Sequence, residues 1–123
     1  YPYIVAECDG RIAGYVYAGM FHEREAYARC VETSIYVDKD MKHMGIGKVL
    51  HSALENELKS RGILNMYACI AYPKVEDEYL DKNSEEFHKH LGYRLVGEFY
   101  DCGYKFNRWY NMIWMEKMIG EHN

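Results

Sequence analysis

CVETSIYVDKDMKHMGIGKVLHSALENELKSRGILNMYACIA, Cys30 to Ala71, is the stretch that decides the fold. It opens with an alternation that begins at Arg29 and ends at Val37. Cys30, Glu32, Ser34 and Tyr36 fall on one side, and Val31, Thr33, Ile35 and Val37 on the other, the period of two that a strand requires. Beyond Asp38 to Met44 the period changes. Ile46, Val49, Leu50, Ala53, Leu54 and Leu58 recur at helical spacing, and Gly62 behind Arg61 supplies a C-terminal stop. The spacing predicts a helix of about four turns. Ile63 to Ala71 then returns to strand-type apolar residues, so strand, helix and strand make one parallel crossover unit, with Arg29 to Val37 as the partner strand.

Toward the N-terminus, Tyr3 to Cys8 and Ile12 to Phe21 are extended-type segments on either side of Asp9-Gly10, a hairpin signal. A polar loop, HEREAYA, leads from them into the Cys30 strand. Toward the C-terminus, PKVEDEYLDK is an acidic loop that starts with proline, Asn83-Ser84 caps a short helix that ends at Gly92, and strands follow at Tyr93 to Tyr100 and Asn111 to Met118. The KFNRWY segment between them reads as a turn. The expected architecture is α/β: a mixed, mainly antiparallel sheet built around the central crossover unit, in a single domain over residues 1–123.

Composition excludes several functions. A chain of 123 residues is expected to fold around one core that buries roughly two thirds of the unfolded surface. A net charge of -4 without clustered Lys and Arg argues against a nucleic-acid partner, and no apolar run reaches the ~18 residues of a membrane span. Cys8, Cys30, Cys69 and Cys102 form no C-x-x-C pair, which gives neither a zinc nor a thioredoxin-like signature. They read as reduced, mostly buried thiols of a cytoplasmic protein. His88 and His90 with Glu85 and Glu86 do not suggest a metal site, because residues two apart on a helix point to different sides.

Gly45 and Gly47 stand where a strand hands over to a helix, and without Cβ atoms they would let a phosphate approach the unpaired N–H groups of the first turn. A plain loop-to-helix turn explains a lone G-x-G equally well. A dinucleotide fingerprint would need a glycine where Leu50 sits, and a P-loop a Ser or Thr where Val49 sits.

Lys42-His43-Met44-Gly45-Ile46-Gly47 resembles the acetyl-coenzyme A loop of the GNAT superfamily of N-acetyltransferases, Gln/Arg-x-x-Gly-x-Gly/Ala, with lysine in the first place. The match extends through YPYIVAE-DG, YAG, the ExSIYV run of Glu32 to Val37, SEEFHKHLGY, GYKFNRW and WMEKM, and is similar to the phosphinothricin and amino-acid N-acetyltransferase branch. It departs from that branch in the length of PKVEDEYLDK and at Asn111. The first strand and two helices that usually precede the hairpin are not in this sequence.

The resemblance implies acetyl-CoA as co-substrate without a metal, a small primary amine as acceptor, and direct transfer. Such a transfer needs a neutral amine, an aligned thioester, stabilised oxyanion charge and protonation of the departing thiolate. Glu32, the one carboxylate in Cys30 to Val37, is the expected base; the alternative is a structural pair with Arg29 or Arg24. His88 stands where relatives place a tyrosine that protonates sulfur, and could instead contact the cofactor or pack beneath it. Cofactor contacts are expected from Ile35, Tyr36, Val37, Lys42, His43, Met44, Gly45, Ile46, Gly47, Lys48, Asn83 and Ser84, the last two also as helix caps. Arg24 and Tyr27 are expected to face an acidic group of the acceptor, unless they belong to a solvated loop. Tyr36, Tyr104, Trp109 and Trp114 read as core or subunit contacts, which makes a homodimer the expected assembly. A peptide N-terminal acetyltransferase and a non-catalytic acyl-CoA sensor are the other functions this pattern allows.

Overall fold

The computed structural model describes residues 1–38, 40–41, 45–72 and 83–123, with Asn83 described for its backbone only. Lys42, His43 and Met44 of the glycine loop, and PKVEDEYLDK, lie outside the described residues. The elements are β1 (Tyr3–Cys8), β2 (Arg11–Met20), β3 (Cys30–Val37), α1 (Ile46–Ser60), β4 (Asn65–Tyr72), α2 (Asn83–His90), β5 (Arg94–Lys105) and β6 (Arg108–Met118). The strands form one mixed sheet in the order β1-β2-β3-β4-β6-β5, mostly antiparallel, with one parallel pair. The expected α/β class with a central strand-helix-strand unit is what the chain adopts. The chain divides into two compact units, Tyr1–Met66 with Met118–Asn123, and Tyr67–Lys117.

In the first unit, Asp9 (φ 51°) and Gly10 (φ 77°) take the left-handed conformations that a two-residue hairpin turn demands, and β1 and β2 pair antiparallel on either side with a bulge at Ala6/Glu7. β2 and β3 pair antiparallel in unbroken register from Met20 opposite Val31 to Gly14 opposite Val37. α1 buries Gly47, Leu50, His51, Leu54 and Leu58. The expected stripe is corrected in part: Val49 and Ala53 are exposed, and Gly47 and His51 take the core-facing places. The helix can sit so close because Gly14 lies beneath it. A Cβ at Gly14 would come 2.5 Å from the Tyr36 carbonyl oxygen and 3.1 Å from Leu50 Cδ1. That contact turns Leu50 toward the sheet, with Val49 outward on one side of it and His51 buried on the other.

α1 ends in a Schellman motif. Gly62 (φ 80°) donates its N–H to the Lys59 carbonyl, and Ile63 donates to Leu58. This use of Ile63 delays the next strand, which starts at Asn65 rather than at Ile63.

The second unit repeats the device at the end of α2. Gly92 (φ 98°) donates to the Lys89 carbonyl and Tyr93 to that of His88. β5 and β6 are longer than expected. Lys105 pairs with Arg108, so the turn read in KFNRWY is confined to two residues, Phe106 (φ 54°) and Asn107 (φ 59°), between paired strands. Register shifts at Leu95/Gly97 and Phe99/Gly103 bend β5, and the N–H of Asp101 (φ 51°) donates to Asn111 Oδ1. Arg94 bonds Glu116 through Nε and Nη2, and the Tyr67 hydroxyl donates to the same carboxylate.

Of the two readings of the aromatic residues, core or subunit contact, the core is not available to Tyr36, Tyr104 and Trp109, which are more than half exposed. One further expectation is corrected. Cys8, Cys30 and Cys69 are half-buried and Cys102 is exposed, where mostly buried thiols were expected. Among the described residues, no helix is long and apolar enough to cross a membrane.

Candidate active site

Glu32 lies in the middle of β3, directly opposite Gly19 of β2. Residues opposite one another on antiparallel strands project to the same face, so the register assembles that face residue by residue. Gly19, Tyr17 and Tyr15 of β2 stand against Glu32, Ser34 and Tyr36 of β3, and Tyr3 and Val5 of β1 continue the row opposite Tyr17 and Tyr15. α1 covers the other face, over Gly14. Four tyrosine rings stack along the row: Tyr3 on Tyr17 at 5.4 Å, Tyr3 on Tyr15 at 5.7 Å, Tyr15 on Tyr17 at 6.3 Å and Tyr15 on Tyr36 at 5.4 Å. The neighbours of Glu32 are small. Gly19 has no atom within 4 Å of where a Cβ would be, and Ser34 and Cys30 flank the glutamate along its own strand.

Glu32 is half-buried. Among the described residues, neither Arg24, Arg29 nor any other group bonds its carboxylate, so the structural pair that was the alternative reading is not formed.

Ile35, Tyr36 and Val37 were expected to offer N–H groups through an irregularity at the strand end. On the β2 side the register is unbroken through Val37, and the Asp38 N–H donates to the Ala13 carbonyl at 2.8 Å. Amides of β3 that serve a ligand are therefore those directed to the strand's other edge.

The glycine loop enters α1 through Gly45, a left-handed N-cap (φ 73°, ψ 12°) without a side-chain cap. Val49 donates to the Gly45 carbonyl in the first helical bond, which leaves the amides of Ile46, Gly47 and Lys48 without intrahelical acceptors. A Cβ at Gly45 would meet nothing within 4 Å. Among the described residues, open space, first-turn amides without intrahelical acceptors and an absent side chain together fit a pyrophosphate.

Arg24 and Tyr27 follow the end of β2. Arg24 precedes the single 3-10 turn Glu25–Tyr27 in extended conformation, its N–H directed to His22 Nδ1 at 3.3 Å. The rings of His22 and Tyr27 meet edge to face at 5.1 Å. Both expected acceptor residues are exposed, and no bond to the Arg24 guanidinium occurs among the described residues.

In the second unit, α2 carries His88 inward and His90 outward, as a spacing of two on a helix requires. Ser84 at its N-terminal end is exposed. The His88 Nδ1 lies 2.7 Å from the Ser84 carbonyl oxygen, which can only accept; Nδ1 therefore carries the proton, and Nε2 of the neutral ring presents a lone pair. Phe87 and Tyr93 hold the ring edge to face at 5.4 and 5.0 Å. Burial pushes the His88 pKa below its ordinary 6.5, and the bond to Ser84 opposes this only in part. The unfolded chain thus takes up the proton first as pH falls. Stability supported by the neutral ring is full above the ordinary pKa and declines as pH drops through that value toward the lowered one. Thermal melts followed from about pH 8 to about pH 5 should show a steeper acid loss in the wild type than in His88→Phe. Parallel slopes would contradict the burial of a neutral ring.

Sequence reasoning did not single out Gly19, Tyr15 or Tyr17 as neighbours of Glu32. YAG was visible as a motif, but what it faces depends on the β2:β3 register, which no single strand encodes.

Comparison with known proteins agrees with this geometry. The family described as Acetyltransferase (GNAT) domain matches residues 1–114. Phosphinothricin N-acetyltransferase of Streptomyces viridochromogenes is 32% identical over 112 residues, which are 91% of this chain and 57% of that protein. The L-amino acid N-acyltransferase MnaT of Escherichia coli is 30% identical over 121 residues, 98% of this chain and 66% of that protein. A phosphinothricin acetyltransferase of Sinorhizobium meliloti, solved in complex with acetyl-CoA, superposes with a TM-score of 0.84 at 35% identity, covering 98% of this chain and 62% of the other. The chain thus spans less than two thirds of the length of these relatives. On the family match across residues 1–114, the chain belongs to the GNAT acetyltransferase family.

Proposed function

We propose that this chain is the acetyl-CoA-dependent part of an N-acetyltransferase acting on the primary amine of a small amino acid or a phosphinothricin-like analogue. The observation that carries the reading is Glu32, a half-buried carboxylate without a partner among the described residues, on a face opposite the helix that begins at Gly45. Acetyl-CoA, when bound, supplies the activated acetyl group as a thioester. Ile46, Gly47 and Lys48 offer main-chain donors at the N-terminus of α1 for its pyrophosphate, and those amides of Ile35 to Val37 that face away from β2, on the side of β4, are the proposed partners of its amide groups and acetyl oxygen. Lys42, His43, Met44, Asn83 and Ser84 complete the proposed cofactor set.

Glu32 takes a proton from the ammonium of the acceptor, directly or through water, and leaves a neutral nucleophile. His88 in its neutral form accepts a hydrogen bond at Nε2; only the imidazolium form could donate from that nitrogen to the departing sulfur. The lowered pKa moves the donating form to acid pH, so the loss of turnover in His88→Phe grows as pH falls if His88 acts as an acid, and is independent of pH if it acts as a contact. Cytoplasmic location and a homodimer belong to the same proposal.

Arg24 and Tyr27 are proposed to face the acceptor's acidic group. The enzyme should then prefer amino acids to their amides by about ten- to a hundredfold in kcat/KM, the size of a charge-assisted hydrogen bond, and Arg24→Ala should erase the preference while sparing turnover of the amides. Equal rates on acid and amide in the wild type would displace the small amino acid in favour of a peptide N-terminus.

A further inference from the structure

Several features outside the described chemistry were candidates for a role. Arg94 and Tyr67 bond the same Glu116 carboxylate. The tyrosine row is an exposed face. The space opposite Glu32 is open and has a definite chemistry.

From the register and the open volume at Gly19, we infer that Gly19 is a specificity-determining residue: its missing side chain is the space in which the acceptor's substituent lies while its amine meets Glu32. This rests on the proposed role of Glu32 as the base.

Directly opposed residues on antiparallel strands place their Cβ atoms about 4.5–5.5 Å apart. Any side chain at Gly19 would therefore stand beside the Glu32 side chain, on the same face, where nothing now lies within 4 Å of the Cβ position. The backbone does not require glycine. Gly19 is absent from the left-handed residues and sits within a regular strand pair, a setting in which valine is favoured over glycine. Glycine here costs strand stability without repaying it in a turn or in close packing, in contrast to Gly14 of the same strand, which lies under α1.

The surroundings of the gap define what it takes. Ser34 and Cys30 keep the β3 side low, Tyr17 is the next residue of β2 on this face, and Glu32 supplies negative charge. A positively charged primary amine with a short or slender substituent fits this notch by charge and by size; a bulky branched group beside the amine competes with the Tyr17 ring.

The test compares Gly19→Ala and Gly19→Val with the wild type. The readouts are thermal melting, acetyl-CoA affinity by calorimetry, and kcat/KM for primary amines of graded size. Melting and acetyl-CoA affinity should be retained. The kcat/KM should fall by about tenfold or more in Gly19→Val and less in Gly19→Ala, mainly through KM, with the smallest acceptors losing least, as expected when pocket volume is lost one methyl group at a time. Unchanged kcat/KM for every acceptor in a folded Gly19→Val would overturn the inference, as would a loss of equal size for all acceptors. If Gly19→Val melts early, the graded loss in Gly19→Ala decides by the same criterion. Glu32→Gln assayed alongside separates the two ideas. Full turnover in Glu32→Gln removes the base assignment, whereas a loss there with none at Gly19 removes only the notch.

Discussion

Glu32→Gln is expected to lower turnover by roughly two to four decades while leaving acetyl-CoA affinity nearly intact, the effect of removing one general base from a site that otherwise stays assembled. The structure makes this substitution clean. Among the described residues the carboxylate bonds nothing, so glutamine breaks no ion pair and leaves no stranded arginine. Its strand is held by the β2 register on one side, and the buried residues Val31 and Thr33 anchor it from the opposite face. A fall confined to the acceptor KM would make Glu32 a binding group for the ammonium instead. Raising the pH separates the two further, because a base becomes dispensable as the acceptor amine deprotonates in solution, whereas a binding group does not.

The second large effect concerns the entrance to α1. Gly45→Val should weaken acetyl-CoA binding by about tenfold or more, through two causes that can be separated. Valine resists the left-handed conformation of Gly45 (φ 73°), and its side chain would occupy the open space before the first-turn amides. Gly45→Asn keeps only the second cause, because asparagine tolerates positive φ. Calorimetry should therefore find both variants weakened. Wild-type affinity in Gly45→Asn would assign the effect to backbone strain and remove the pyrophosphate from this site.

Much of the fold was legible because local chemistry settles it. Asp9-Gly10 signals a turn between two strands, and Gly62 and Gly92 each sit two residues beyond the last residue of a helix that their positive φ terminates. KFNRWY was legible as a turn, but its extent was not, for a physical reason. Phe106 and Asn107 take left-handed conformations and allow Lys105 and Arg108 to pair, so the strands run into the segment from both sides. Phenylalanine is not a residue from which positive φ is expected. The rotation of α1 was also beyond periodicity. Val49 and Leu50 are adjacent apolar residues, and only the contact beneath, at Gly14, decides which of them is buried.

The site divides along the same line. Glu32 was legible because alternation within one strand separates it from Val31 and Thr33, and the α1 entrance was legible because glycine spacing is local. Gly19 and the tyrosine row were not, since cross-strand register sets their neighbours. His88 was found as a candidate, but its tautomer follows from the Ser84 carbonyl at 2.7 Å, a contact four residues back along the helix.

The measurement that tests the central claim most directly is amine-dependent release of the coenzyme A thiol. The chain is mixed with acetyl-CoA and a panel of amino acids and their amides, thiol is followed by colour, and acetylated product is counted by mass spectrometry. The account predicts release that requires an amine, matches the acetylated amine one for one, and is fastest with small amino acids. Tight binding of acetyl-CoA with no release on any amine, peptide N-termini included, would contradict it and leave the chain an acyl-CoA sensor.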